Sequence, residues 1–101
     1  MKFYKGDLVE YYQDEVRHGG LNIAFGSLAE VTEDFDDSGF MQDIYLHIHW
    51  IITIKRKDKS DNKQNDGGYY PTMFKLVYNA NSSNINYLDI EEFIKEIENI
   101  I

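Results

Sequence analysis

The chain has no cysteine, a single proline and few positive charges. Without cysteine there can be no disulfide, no thiolate zinc site and no cysteine nucleophile, a usage that suits a reducing compartment. Long apolar runs are also missing: the longest is broken by His47 and His49 and is too short to span a bilayer. The opening residues Met1-Lys2-Phe3-Tyr4-Lys5-Gly6-Asp7 lack the apolar core and small-residue cleavage site of a secretion signal, so a cytoplasmic location is expected. Catalytic signatures are equally scarce, with no Gly-x-Ser-x-Gly, P-loop, His-Glu-x-x-His or Cys/His arrangement. No spacing places a carboxylate in an apolar pocket, where its pKa would rise. A non-enzymatic protein without a cofactor is expected.

The scarcity of bases is uneven. There are 10 Lys+Arg against 18 Asp+Glu, and residues 55–63 hold five of those bases with two of the acids, leaving sixteen acids to face five bases elsewhere. The densest run is Glu30-Val31-Thr32-Glu33-Asp34-Phe35-Asp36-Asp37. Such a field repels nucleic-acid and membrane phosphates and attracts basic protein surfaces.

What is present suffices for a core. With 101 residues, 43% of them hydrophobic and eight tyrosines, one domain over residues 1–101 is expected. The clearest element spans residues 44–54, where Ile44, Leu46, Ile48, Trp50, Ile52 and Ile54 form one apolar face and Tyr45, His47, His49, Ile51 and Thr53 the other. Period two with β-branched and aromatic enrichment predicts a strand, long enough that it should bend or pass between two sheets. Shorter strands are predicted over residues 7–12, 24–33 and 73–78, with Gly26 marking a bulge or close approach. Turns are expected at residues 17–20 and 36–39, and residues 55–68 read as a mobile loop. Tyr70-Pro71 forces an extended entry into the last strand. After a linker over residues 79–88, Asp89 and Glu92 form a capping pair. Ile90, Phe93, Ile94, Ile97 and Ile101 then give the stripe of an amphipathic helix over residues 89–101, which must dock because it is too short to persist alone. The expected class is α+β: a bent antiparallel sheet or small barrel over residues 5–78 carrying one C-terminal helix.

The order of these pieces resembles an SH3-like small barrel of the kind common among short phage-encoded and translation-related domains. Lys5-Gly6-Asp7-Leu8-Val9-Glu10 looks like its opening Gly-Asp-x-Val strand, Phe25-Gly26-Ser27-Leu28-Ala29-Glu30-Val31 its second and Tyr45-Leu46-His47-Ile48-His49-Trp50 its third. Met73-Phe74-Lys75-Leu76 would close the barrel. RNA-binding barrels usually carry a basic face, from which this chain departs. In size, charge and lack of cysteine it is similar to small acidic phage proteins that block restriction or CRISPR nucleases. That likeness implies an inhibitor acting through a nucleic-acid-like acidic surface.

Candidate site residues follow from these features. Along a strand, side chains on one face recur roughly every 6.5–7 Å, a spacing on which carboxylates can occupy the lysines and arginines of a nucleic-acid-binding protein. Glu30, Glu33, Asp34, Asp36, Asp37 and Asp43 are the expected charge contacts, with Tyr11 and Tyr69 as outward tyrosines adding contact area. Asp34-Phe35-Asp36-Asp37-Ser38-Gly39 is also similar to the first half of a calcium loop, but its twelfth position is Tyr45 rather than Glu. His47 and His49, with His18, form an alternative set of metal ligands, against the plainer reading of two histidines on an outer face. Self-association, as a homodimer or larger assembly, remains open through the helix stripe and the basic loop.

Overall fold

A computed structural model describes residues 1–15, 20–40 and 42–80. Over these residues the chain is all-β, with two antiparallel sheets and one 3-10 turn. The strands are β1 (Lys2–Phe3), β2 (Leu8–Tyr11), β3 (Leu28–Val31), β4 (Phe35–Asp36), β5 (Leu46–Ile52), β6 (Gly67–Tyr69) and β7 (Phe74–Tyr78). The main sheet has the order β6-β5-β3-β2-β7, and β1 pairs with β4 in a separate ribbon. The main sheet is open: β6 and β7 form its edges, and no ladder joins them among the described residues.

Alternation explains the main strand. On β5, Leu46, Ile48 and Trp50 are buried while His47 and His49 are exposed. The alternation then breaks. Ala29 stands opposite Trp50 but Leu28 stands opposite Ile52, so Ile51 is an extra residue and the register shifts. This bulge bends the strand and sends Ile52 to the other face, where it packs with Leu8 and Leu28. The strand thus serves two apolar clusters, in line with the expected bend. It is shorter than expected, however, because Ile44 is 65% exposed and lies before the strand begins.

The larger cluster centres on four rings. Trp50 lies 5.7 Å from both Tyr69 and Phe74, and 6.4 Å from Tyr11, in edge-on and tilted arrangements. The ribbon covers the same side, contributing Phe3 and Phe35 to this cluster with their rings 6.2 Å apart. Pro71 opens the 3-10 turn (Pro71–Met73), preceded by extended Tyr70 and closed by the Phe74 N–H donating to the Pro71 carbonyl. That turn carries the chain from one edge of the sheet to the other.

The segment after β5 is not a free loop. The Asn62 side-chain amide donates to Thr53 O at 2.7 Å, Trp50 Nε1 donates to Asn65 O at 3.1 Å, and Asn22 bonds Gln64, Asp61 and Lys63 O. Neutral amides spaced along this segment supply anchors that a charge-rich stretch otherwise lacks. Residues 17–19 of the turn expected at residues 17–20, the linker from residue 81 and the helix over residues 89–101 lie outside the described residues. No helix among the described residues is long and apolar enough to cross a membrane.

Candidate acidic interaction surface

Strand β5 runs between two oppositely charged ends. Residues 32–45, which carry β4, precede it, and residues 53–66 follow it. Five of the six expected acids, Glu33, Asp34, Asp36, Asp37 and Asp43, belong to the first segment. Glu30 stands apart on β3, exposed and opposite His49.

Several of the clustered carboxylates also build their own loop. Asp34 Oδ1 accepts from the Lys5 N–H at 2.8 Å. Asp43 Oδ2 accepts from the Asp36 N–H at 2.9 Å, and the Asp43 N–H returns to Asp36 O at 3.0 Å, closing the base of residues 36–43. Asp36 Oδ1 accepts from the Ser38 hydroxyl at 2.5 Å and the Ser38 N–H at 2.8 Å. Those two bonds hold the Asp36 carboxyl below the usual carboxylate range, with a smaller contribution from Lys2. Two acids are partly offset by cations, since Lys2 Nζ lies 3.7 Å from Asp36 and the N-terminal ammonium 2.8 Å from Asp37. The side chains of Glu30 and Glu33 make no hydrogen bond or ion pair among the described residues and are exposed to solvent.

The tyrosine expectation requires correction. Tyr11 and Tyr69 are 1% and 9% exposed, because period two turns them onto the core face of β2 and β6. The Tyr11 hydroxyl donates to Asp14 and accepts from the Leu21 N–H. Burial, followed by the bond to Asp14, raises its pKa from 10.0 to about 12. The outward members are Tyr12, whose ring faces the Lys75 ammonium at 5.8 Å, and partly buried Tyr70, 5.5 Å from the Tyr45 ring.

The acidic end also presents apolar side chains that the strand pattern concealed. Phe40 is 104% exposed, Ile44 65% and Tyr45 46%. A signal was available for Phe40, which follows an Asp-Asp-Ser-Gly turn and so has no alternating neighbours to bury it with.

At the other end, Arg56 Nε and an Nη grip Asp58 at 2.9 and 2.8 Å, while its other Nη donates to Leu21 O at 2.9 Å. Lys55, Lys57, Lys59 and Lys63 remain exposed. A cavity of about 270 Å³ opens here, lined by Tyr11, Ile23, Ala24 and Phe25 with Arg56 and Lys57, and by Asp14 and Asp58. On the outer face of the sheet, His49 Nδ1 lies 2.6 Å from Asp66 Oδ2, while Asp66 Oδ1 accepts from the Trp50 N–H at 2.8 Å. The His49 ring, then that N–H, lowers the Asp66 pKa.

No metal centre emerges from these groups. Among the described residues no three His, Asp or Glu side chains converge on a common point. The half calcium motif spends Asp34 and Asp36 on Lys5 and Ser38, and His18 lies outside the described residues. The chain matches no family model, no curated protein and no solved structure.

Proposed function

We propose that this is a non-catalytic binding protein whose acidic end engages a basic protein surface. Its concrete form would be a phage or mobile-element inhibitor that occupies the cationic groove of a host nucleic-acid-binding defence protein. The observation that carries the reading is the grouping of Glu33, Asp34, Asp36, Asp37 and Asp43 at one end of β5, with Asp34, Asp36 and Asp43 pinned by backbone N–H groups. A carboxylate that accepts from a backbone N–H keeps its charge and loses its freedom, so less ordering is required on binding. A finer fold reading accompanies this one. The succession β2, β3, β5, β6, a 3-10 turn and a final strand beside β2 supports an SH3-like arrangement, here with the sheet left open.

The test uses Glu30 and Glu33, whose side chains build nothing in the described fold. A pull-down from a host lysate at low salt should recover a basic, nucleic-acid-binding protein and release it as salt rises, since electrostatic steering is screened over about 10 Å at 0.1 M. Glu30→Lys with Glu33→Lys should slow association with that purified partner about tenfold or more while leaving dissociation nearly unchanged. An unchanged on-rate, or a partner of acidic surface, would overturn the proposal.

A further inference from the structure

The two ends of β5 suit each other in shape as well as charge. At the acidic end Phe40 projects fully into solvent from the loop that Asp36 and Asp43 close, and Ile44, just after that loop, is exposed as well. The base of the Phe40 loop is fastened by the Asp36–Asp43 bracket. At the basic end lies a cavity of about 270 Å³ lined by Tyr11, Ile23, Ala24 and Phe25 on one hand and by Arg56, Lys57, Asp14 and Asp58 on the other. Its volume exceeds the roughly 150 Å³ that holds benzene, so a phenyl ring can enter it against Ile23 and Phe25. Phe25 is 55% exposed within this lining, its ring 4.9 Å from Tyr11 and open to a further aromatic contact on its other side. The lining itself balances Arg56 and Lys57 against Asp14 and Asp58, whereas the flanking residues 55–63 carry five bases against two acids, with Lys55, Lys57, Lys59 and Lys63 exposed. Their sign is opposite to that of the loop around Phe40.

The Phe40 ring does not reach the cavity of its own molecule. β5 has seven residues, which puts roughly 20 Å of strand between the projecting ring and the cavity. We propose that copies of this chain associate head to tail, the Phe40 ring of one copy entering the cavity beside Phe25 of the next. A foreign basic protein would have to provide both the apolar recess and the cationic rim, whereas a second copy already has both. The contact is heterologous: knob and recess are different surfaces, so each copy added leaves a free knob at one end and a free recess at the other. The inference goes beyond the proposed binding of a foreign partner and stands independently of it.

Sedimentation equilibrium of the full chain from micromolar to millimolar concentration tests it. The weight-average mass should climb with concentration beyond twice the monomer and fall back with added salt. Phe40→Ala, at a fully solvated position, should keep the melting midpoint and weaken association about thirty-fold or more. Ala24→Glu, which sets a carboxylate at the recess, should do the same from the other side, and Lys57→Glu provides a milder second variant on the exposed rim. Mixing Phe40→Ala with Ala24→Glu restores one matched knob and recess, and the mixture should form one-to-one pairs and nothing larger. A wild-type chain that stays monomeric throughout, assembly indifferent to Phe40→Ala, or a mixture that fails to pair would each overturn it. If Ala24→Glu proves unfolded, the mixture with Lys57→Glu decides the same question.

Discussion

Tyr11 shows how one side chain can bind a core to a loop. Its ring packs among Trp50, Phe74 and Phe25, while its hydroxyl satisfies the Leu21 N–H and reaches Asp14. Because the folded pKa rises from 10.0 to about 12, the folded state holds this proton more tightly than the unfolded chain. The associated stability is therefore fully present below pH 10 and is lost as pH rises toward 12. Tyr11→Phe should cost about 1 kcal/mol at neutral pH by orphaning the Leu21 N–H. The same variant should flatten the alkaline limb of a urea-midpoint series between pH 10 and 12, where the wild type falls. A limb of unchanged slope would mean that another group governs it. Adjacent tyrosines give no hint of which one is buried until the strand's phase is known, and that phase is set by core partners as distant as Trp50.

At the scale of elements, the pinned segment after β5 depends on Asp66, which holds the Trp50 N–H and faces the His49 ring. Its folded pKa is depressed, as are those of Asp36, Asp58 and Asp61. The stability they contribute is present above the ordinary carboxylate pKa, about 3.9, and disappears as pH falls through the lower folded values. Asp66→Asn should therefore show a shallower acid limb below about pH 4 than the wild type, and faster amide exchange at Trp50. An acid limb identical to the wild type would remove Asp66 from the account. The alternating face of β5 was legible in the sequence from Leu46 through Trp50, because burial on one side of a sheet enforces period two. The assignment failed where a second rule intervened. A bulge at Ile51 moved Ile52 to the opposite face, and the strand began only after Ile44. The two-residue strands β1 and β4 are too short to show any period, and β6 opens on Gly67-Gly68, which read as the end of the mobile loop. The acidic run was legible as charge, but its anchors were not: Asp37 meets an ammonium 36 positions away, and Asp34 meets Lys5 across 29.

At the scale of the whole molecule, the described residues are fastened by a buried acid. Asp7 is 1% exposed, and its carboxylate accepts from the Tyr4 N–H at 2.9 Å and the Ala80 N–H at 2.8 Å. Its backbone carbonyl takes the Val31 N–H at 2.9 Å. Asp7→Ala leaves two backbone donors without their acceptor and should lower unfolding free energy by about 1–3 kcal/mol, measured by urea denaturation. Asp7→Asn, which keeps one acceptor oxygen, should lose less; equal losses would place the effect in packing rather than in hydrogen bonding. This clasp sits where β2 begins and β7 ends, with Leu8 directly opposite Tyr78 in an antiparallel ladder. Tension applied between residues 4 and 80 would thus pull the two strands apart like a zipper, rung after rung, instead of sliding them past one another. A molecule threaded this way yields to a small steady force once Asp7 lets go, however firmly heat or denaturant finds it folded.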